Sequence, residues 1–118
     1  TINVKNLNKT FAAMIALTDV DALATWDVSK VENFSYTFDA CKLMTSISGL
    51  KDWDVSSATT MEGMFYNLNI LVDTSAIVDW NVNSSINFSK MFMNAYRANL
   101  NEFSKLPGTW SNGTYIPD

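Results

Sequence analysis

The sequence predicts an α/β repeat: a solenoid of about four 27-residue units, each a short helix plus a short parallel strand. Three observations carry that expectation. Trp26, Trp53 and Trp80 recur 27 residues apart, inside "TWDV", "DWDV" and "DWNV". Sliding the chain by the same interval places Phe11, Phe38, Phe65 and Phe92 in one column, and Leu7, Phe34, Met61 and Phe88 in another. Further apolar columns follow in register: Leu17, Met44, Leu71 and Ala98; Leu23, Leu50 and Ile77; Val28, Val55 and Val82. A fixed period of this size marks units that bury their apolar faces only by stacking on one another.

Within a unit the helix comes first. Val31, Phe34, Phe38 and Cys41 are spaced three, four and three apart, as on the apolar face of a helix. "SKVE" (29–32) and "TTME" (59–62) match the Ser/Thr-x-x-Glu capping box. These signals predict short helices near 32–41, 59–68 and 86–97, and at about 5–14. The segment after the helix, "LMTSISGL" (43–50), has an apolar residue at every third position and reads as a short extended piece. A loop carrying "WDVS" closes the unit. There Asp27, Asp54 and Asn81 are expected to accept hydrogen bonds from their own backbone and so reverse the chain. Stacking at the ~4.8 Å spacing of neighbouring strands would turn the columns into ladders. Trp26, Trp53 and Trp80 form one; Phe11, Phe38, Phe65 and Phe92 form the other.

The whole chain, 1–118, reads as one domain, with units at approximately 1–26, 27–53, 54–80 and 81–106. In the last unit Ala95, Ala98, Asn101 and Ser104 stand where larger apolar residues would fall, and Trp110 arrives only after Pro107-Gly108. Residues 107–118 therefore read as a C-terminal cap, the polar closure that repeat arrays need. The first unit has no such closure: Val4, Leu7, Phe11, Met14, Leu17, Val20 and Leu23 are as apolar as their counterparts in the middle. The opening "TINVKN" also falls mid-pattern, so the domain is expected to continue upstream and to self-associate through this N-terminal face.

Composition narrows the function. The net charge is −4 and the eight Lys and Arg are scattered, which argues against a nucleic-acid partner. No apolar run is long enough to span a membrane, so no direct membrane insertion is expected. Histidine is absent and Cys41 is the single cysteine. The commonest general base and metal ligand are thus missing, together with any internal disulfide. No enzymatic activity, cofactor or metal is expected. Asp52, Asp54, Asp79 and Asn81 flank the tryptophans and could be weighed as calcium ligands, but no Asp-rich calcium loop accompanies them. Nor does the sequence supply the desolvated acid of a glycosidase pair.

The remaining candidates are surface residues. Asp19, Asp21, Ser46, Ser48, Asp73, Ser75 and Glu102 lie between the apolar positions of the extended segments. They predict an acidic, hydroxyl-rich strip across the stack, which is either a contact surface or a plainly solvated face. Tyr36, Tyr66 and Tyr96 lie off the main apolar column and are candidate contact aromatics, or else partly buried between units.

The pattern in "MTSISGLKDWDVSSATTMEGMF" (44–65) resembles the repeat of the BspA-like leucine-rich-repeat surface proteins of Firmicutes and mycoplasmas. The likeness runs from residue 4 to about 116. The tail "LPGTWSNGTYIP" (106–117) is similar to the segment that closes such arrays. The resemblance implies a leucine-rich-repeat-like solenoid in a secreted or cell-surface attached bacterial protein, Gram-positive or mycoplasmal, with adhesive or interaction roles. The function expected is a non-catalytic binding or adhesion module that recognises a host or neighbouring-cell protein or glycan through one face. The alternative is a structural spacer or stalk without a specific ligand. Equivalent strip positions read Asp19, Ser46, Asp73 and Leu100, then Asp21, Ser48, Ser75 and Glu102. That variation favours recognition, because a spacer has no use for different residues in equivalent places.

Overall fold

The apolar columns sit on a ribbon of turns. In this computed structural model, which describes residues 2–118, the segments expected to be helical have positive φ at every fourth residue. These residues are Lys9 and Ala13, Tyr36 and Ala40, Gly63 and Asn67, and Lys90 and Asn94. A left-handed residue at that interval interrupts an α-helix within about one turn. β-Turns form instead, closed by bonds such as Thr10 N–H to the Leu7 carbonyl (3.2 Å) and Cys41 N–H to the Phe38 carbonyl (3.2 Å). Positive φ at the third turn residue alone is the type II pattern.

The N–H groups that a helix would use internally leave for the next unit. Leu7, Lys9 and Phe11 donate to the carbonyls of Asn33, Ser35 and Thr37 at 3.0, 3.0 and 2.9 Å. Phe34, Tyr36 and Phe38 donate in the same way to Thr60, Glu62 and Met64, and Met61, Gly63 and Phe65 to Asn87, Ser89 and Met91. Parallel bridges join Asn33 to Thr60 and Thr60 to Asn87.

The expected fold class is therefore corrected. Among the described residues no helix forms near 5–14, 32–41, 59–68 or 86–97, and no strand at 43–50. The chain is not an α/β leucine-rich-repeat-like solenoid; it is mostly turns and coil. Among the described residues the regular elements are three 3-10 helices, Asp21–Leu23, Ser48–Leu50 and Ser75–Ile77, and an antiparallel pair, β1 (Gly108–Ser111) and β2 (Thr114–Pro117). The physical reason is a coincidence of spacing. A ribbon of four-residue turns buries Leu7 and Phe34 with Phe38, Met61 with Phe65, and Phe88 with Phe92, the same interval as one face of a helix. Of Met44, Ile47 and Leu50, spaced three apart and all buried, only Leu50 lies in a 3-10 helix, Ser48–Leu50, which Ile47 precedes as its N-cap. The "TTME" capping box is a local turn: Thr60 Oγ1 accepts the Glu62 N–H (3.1 Å), two residues on.

Phenylalanines stack through the core. Phe11 and Phe38 lie 5.6 Å apart at 8°, Phe38 and Phe65 5.8 Å at 11°, and Phe65 and Phe92 4.8 Å at 15°. The tryptophans tie units together differently. Trp53 meets Phe34 and Phe38, and its indole N–H donates to the Leu23 carbonyl of the preceding unit at 2.9 Å. Trp80 repeats that bond to Leu50 at 2.9 Å. Both indoles are buried, so each satisfied N–H avoids the ~1–3 kcal/mol penalty of an orphaned donor. Cys41 is buried too; its thiol donates to the Phe11 carbonyl (3.1 Å), and burial raises its pKa.

Gly63 is the one glycine in the left-handed columns, and the Tyr36 ring lies over it. A Cβ there would fall 2.2 Å from the ring, at φ +59°. Gly63→Ala is expected to destabilise the fold by about 1–3 kcal/mol, combining backbone strain with overpacking. Urea unfolding checks this, with Gly63→Ala/Tyr36→Ala removing the clash and restoring part of the loss. A single variant as stable as the parent would show that Tyr36 moves aside freely.

The C-terminal pair closes the last unit. Asn112 (φ 51°) and Gly113 (φ 81°) form the two-residue Asn-Gly turn that suits antiparallel strands. The Gly113 carbonyl accepts the Phe92 N–H (2.9 Å) and Thr114 Oγ1 accepts the Lys90 N–H (2.9 Å), supplying acceptors where another unit would. Trp110 meets Phe92 edge-on at 5.2 Å and 82°. The Tyr115 hydroxyl donates to the Leu106 carbonyl and accepts the Phe103 N–H.

Candidate functional site

The predicted strip is built on the 3-10 helices. Asp19 Oδ1 accepts the Asp21 N–H (3.1 Å), Ser46 Oγ the Ser48 N–H (3.2 Å), and Asp73 Oδ1 the Ser75 N–H (2.8 Å). Each of these side chains thus starts the short helix that follows it, while the strip stays open to water apart from half-buried Ser46. The structure brings four of the seven residues together. Ser46, Ser48, Asp73 and Ser75 line one shallow groove of ≈ 460 Å³, with Thr45, Lys51 and Ala76. Asp19 and Asp21 stand beside it on the first unit, and Glu102 is exposed on the fourth unit, which has no 3-10 helix at that position. Sequence reasoning missed Thr45, Lys51 and Ala76.

The groove lies where one backbone bond between two otherwise paired units is missing. Between the first and second units the N–H groups of Thr45 and Ser46 donate to the Thr18 carbonyl (2.8 and 3.4 Å). Between the third and fourth, Asn99 N–H donates to the Val72 carbonyl (2.8 Å). Between the second and third, the corresponding Val72 N–H and Thr45 carbonyl have no backbone partner among the described residues. In the column facing the preceding unit, Gly49 lies so close to the first unit that a Cβ on it would sit 2.6 Å from the Val20 carbonyl oxygen, and the third unit has Ala76 in the equivalent position.

Electrostatics follow from local bonding. Hydrogen bonds from the side chains and then the backbones of Ser29, Ser56 and Ser75 hold the carboxyls of Asp27, Asp54 and Asp73 below the usual 3.8. A folded-state pKa below the unfolded one stabilises the fold above the unfolded value, and that contribution is lost as pH falls through the folded one. The urea midpoint is therefore expected to fall on acidification below about pH 4, and the triple variant Asp27→Asn/Asp54→Asn/Asp73→Asn should flatten that limb. An unchanged acid limb in the variant would assign it to other groups.

The expected turn residues divide. Asp27 and Asp54 accept the N–H of Ser29 and Ser56 at 3.0 Å, whereas in the third loop that part falls to Asn83 with Ser85 (2.9 Å) and Asn81 takes none. Asp79, weighed above as a calcium ligand, accepts from Ser104 Oγ at 2.6 Å. Among the described residues, no three acidic or sulfur side chains converge as a metal site would require. Of the tyrosines, Tyr36 and Tyr66 pair at 6.3 Å and are half-buried, while Tyr96 is 78% exposed. Burial, reinforced by Glu62, raises the Tyr36 pKa.

The N-terminal face is an open unit surface. Asn33, Ser35, Thr37 and Asp39 accept bonds from the first unit, but their counterparts Asn6, Asn8, Thr10 and Ala12 offer carbonyls that no described residue reaches. The Trp26 indole N–H likewise lacks the bond made by Trp53 and Trp80. Beside it, Met14, Ile15, Ala16 and Leu17 line an apolar hollow of ≈ 420 Å³.

A family model described as Mycoplasma protein of unknown function, DUF285, matches residues 1–106. The match ends just before β1, so the closing hairpin lies outside it. No curated protein and no solved structure matches the chain.

Proposed function

Since the chain belongs to this Mycoplasma family of unknown function, we propose from its own geometry that it is a non-catalytic binding module. It serves a secreted or surface-attached bacterial protein of the BspA-like kind and recognises a host or neighbouring-cell protein or glycan. The observation that carries the reading is the polar strip on the 3-10 helices with its groove between the second and third units. The turn ribbon that packs the core leaves this face free of structural duty, apart from single turn-capping bonds. Its residues differ from unit to unit, which a stalk without a ligand would not need.

Catalysis is a poor account of the same residues. The acids of the strip are exposed, and nothing desolvates one of them into a proton donor. The test has two arms. The purified domain is screened against extracellular proteins and glycans, and intact cells are labelled with an impermeant reagent to locate the protein. Binding that survives mutation of every strip residue, or a protein unreachable from outside, would remove the reading.

A further inference from the structure

Resting on that reading of the strip as the binding face, we infer that the groove between the second and third units is a glycan site. It takes a neutral, polyhydroxylated ligand and not the side chains of a protein. The lining is the first reason. Thr45, Ser46, Ser48, Lys51, Asp73 and Ser75 are polar, and Ala76 alone is not. Protein-binding hot spots are built from Trp, Tyr and Arg in desolvated pockets, and interface cores are depleted in charge. None of those anchors lines this groove. Its volume of ≈ 460 Å³ falls in the range of small-ligand sites.

The second reason is the balance of donors and acceptors. The Lys51 ammonium donates; the Asp73 carboxylate and the Thr45 carbonyl, which has no backbone partner among the described residues, accept. Ser46 and Ser48, whose hydroxyls lie 3.0 Å apart, and Ser75 can do either. Sugar hydroxyls have the same dual capacity, so adjacent hydroxyls of one ring can be met by an acceptor and a donor at once. The Asp73 carboxylate is held in place by Ser75, whose N–H it accepts at 2.8 Å, and its exposed oxygens can accept a further charge-assisted bond from a hydroxyl.

The test titrates the ¹⁵N-labelled 118-residue chain with soluble mannan, dextran and N-acetylglucosamine oligomers, after an oligosaccharide array and a panel of extracellular matrix proteins. The expected result is saccharide binding with amide shifts confined to 45–51 and 72–76. Asp73→Asn and Lys51→Met should each weaken it about tenfold or more, the usual loss for a bond to a charged group. Lys105→Ala, exposed and outside the strip, should leave it unchanged. Unshifted amides elsewhere in each variant establish that the fold is intact, and Ser48→Ala is the milder check. Matrix proteins binding the strip while no saccharide does would overturn the glycan inference and keep the binding module. No binding to either set would overturn both. Saccharide binding indifferent to Asp73→Asn and Lys51→Met would overturn the assignment to this groove.

Discussion

Trp53→Ala is expected to lower the unfolding free energy by about 3–5 kcal/mol, the usual loss for a large buried aromatic. Trp53 is 4% exposed in the middle of the stack, with Phe34 and Phe38 against its ring. Truncation leaves a cavity bordered by side chains already fixed by their own turns, so little collapse can refill it. It also removes the donor to the Leu23 carbonyl, a buried bond joining two units. Trp110→Ala should cost less. Trp110 is only half-buried, lies in the closing hairpin, and gives its N–H to the exposed Asn101 carbonyl (2.9 Å). Urea unfolding followed by circular dichroism measures both. Equal losses would mean that Trp53 is held no more firmly than an end residue, and that the indole-to-carbonyl bonds do not tie the units.

How far the fold was legible turns on what each spacing can distinguish. The 27-residue period survives intact in the bonds from Leu7, Lys9 and Phe11 to Asn33, Ser35 and Thr37, and in the stacked phenylalanines. The conformation carrying that period did not follow from it. A turn ribbon and a helix both bury a residue at intervals of three and four, so Val31, Phe34, Phe38 and Cys41 fit either. The deciding signal was the other set of columns, where Gly63, Asn67 and Asn94 occupy left-handed positions that glycine and asparagine tolerate best. It was diluted by Lys9, Ala13, Tyr36 and Ala40, whose N–H groups bond the neighbouring unit, and by Lys90, whose N–H bonds Thr114 of the closing hairpin. The hairpin was plainer: "TWSNGTYI" puts Asn-Gly between alternating residues, and was read only as a cap. The strip residues were visible as columns. The groove was not, because it lies where the Val72 N–H and the Thr45 carbonyl have no backbone partner among the described residues, which no column of residue types announces.

Gly113→Ala is expected to detach the closing hairpin and to change the protein's state of association. Gly113 has φ +81°, and a Cβ on it would fall 2.4 Å from the Met93 backbone nitrogen and 2.5 Å from its Cα. Backbone cannot yield as a flexible side chain can. Left-handed strain of about 1–2 kcal/mol and overlap of about 1–3 kcal/mol together make a loss of roughly 2–5 kcal/mol. Once the hairpin lifts, the Phe92 and Lys90 N–H groups lose their acceptors, and Phe92 and Phe103 lose the cover of Trp110 and Tyr115. The chain then has a donor end, and its other end already presents the carbonyls of Asn6, Asn8, Thr10 and Ala12. These ends are complementary in the sense of the bonds between internal units, so the variant should assemble head to tail. Two intact chains meeting through their N-terminal faces set carbonyl against carbonyl. The self-association expected from the sequence must then rest on the apolar hollow at Met14, Ile15 and Leu17 alone. Light scattering against concentration separates the cases. The variant should grow without a fixed size and the intact chain should stop at a dimer or below, with Phe11→Lys, which blocks the acceptor face, returning the variant to a small species. A Gly113→Ala chain as stable and as small as the parent would show that the hairpin does not seal the stack.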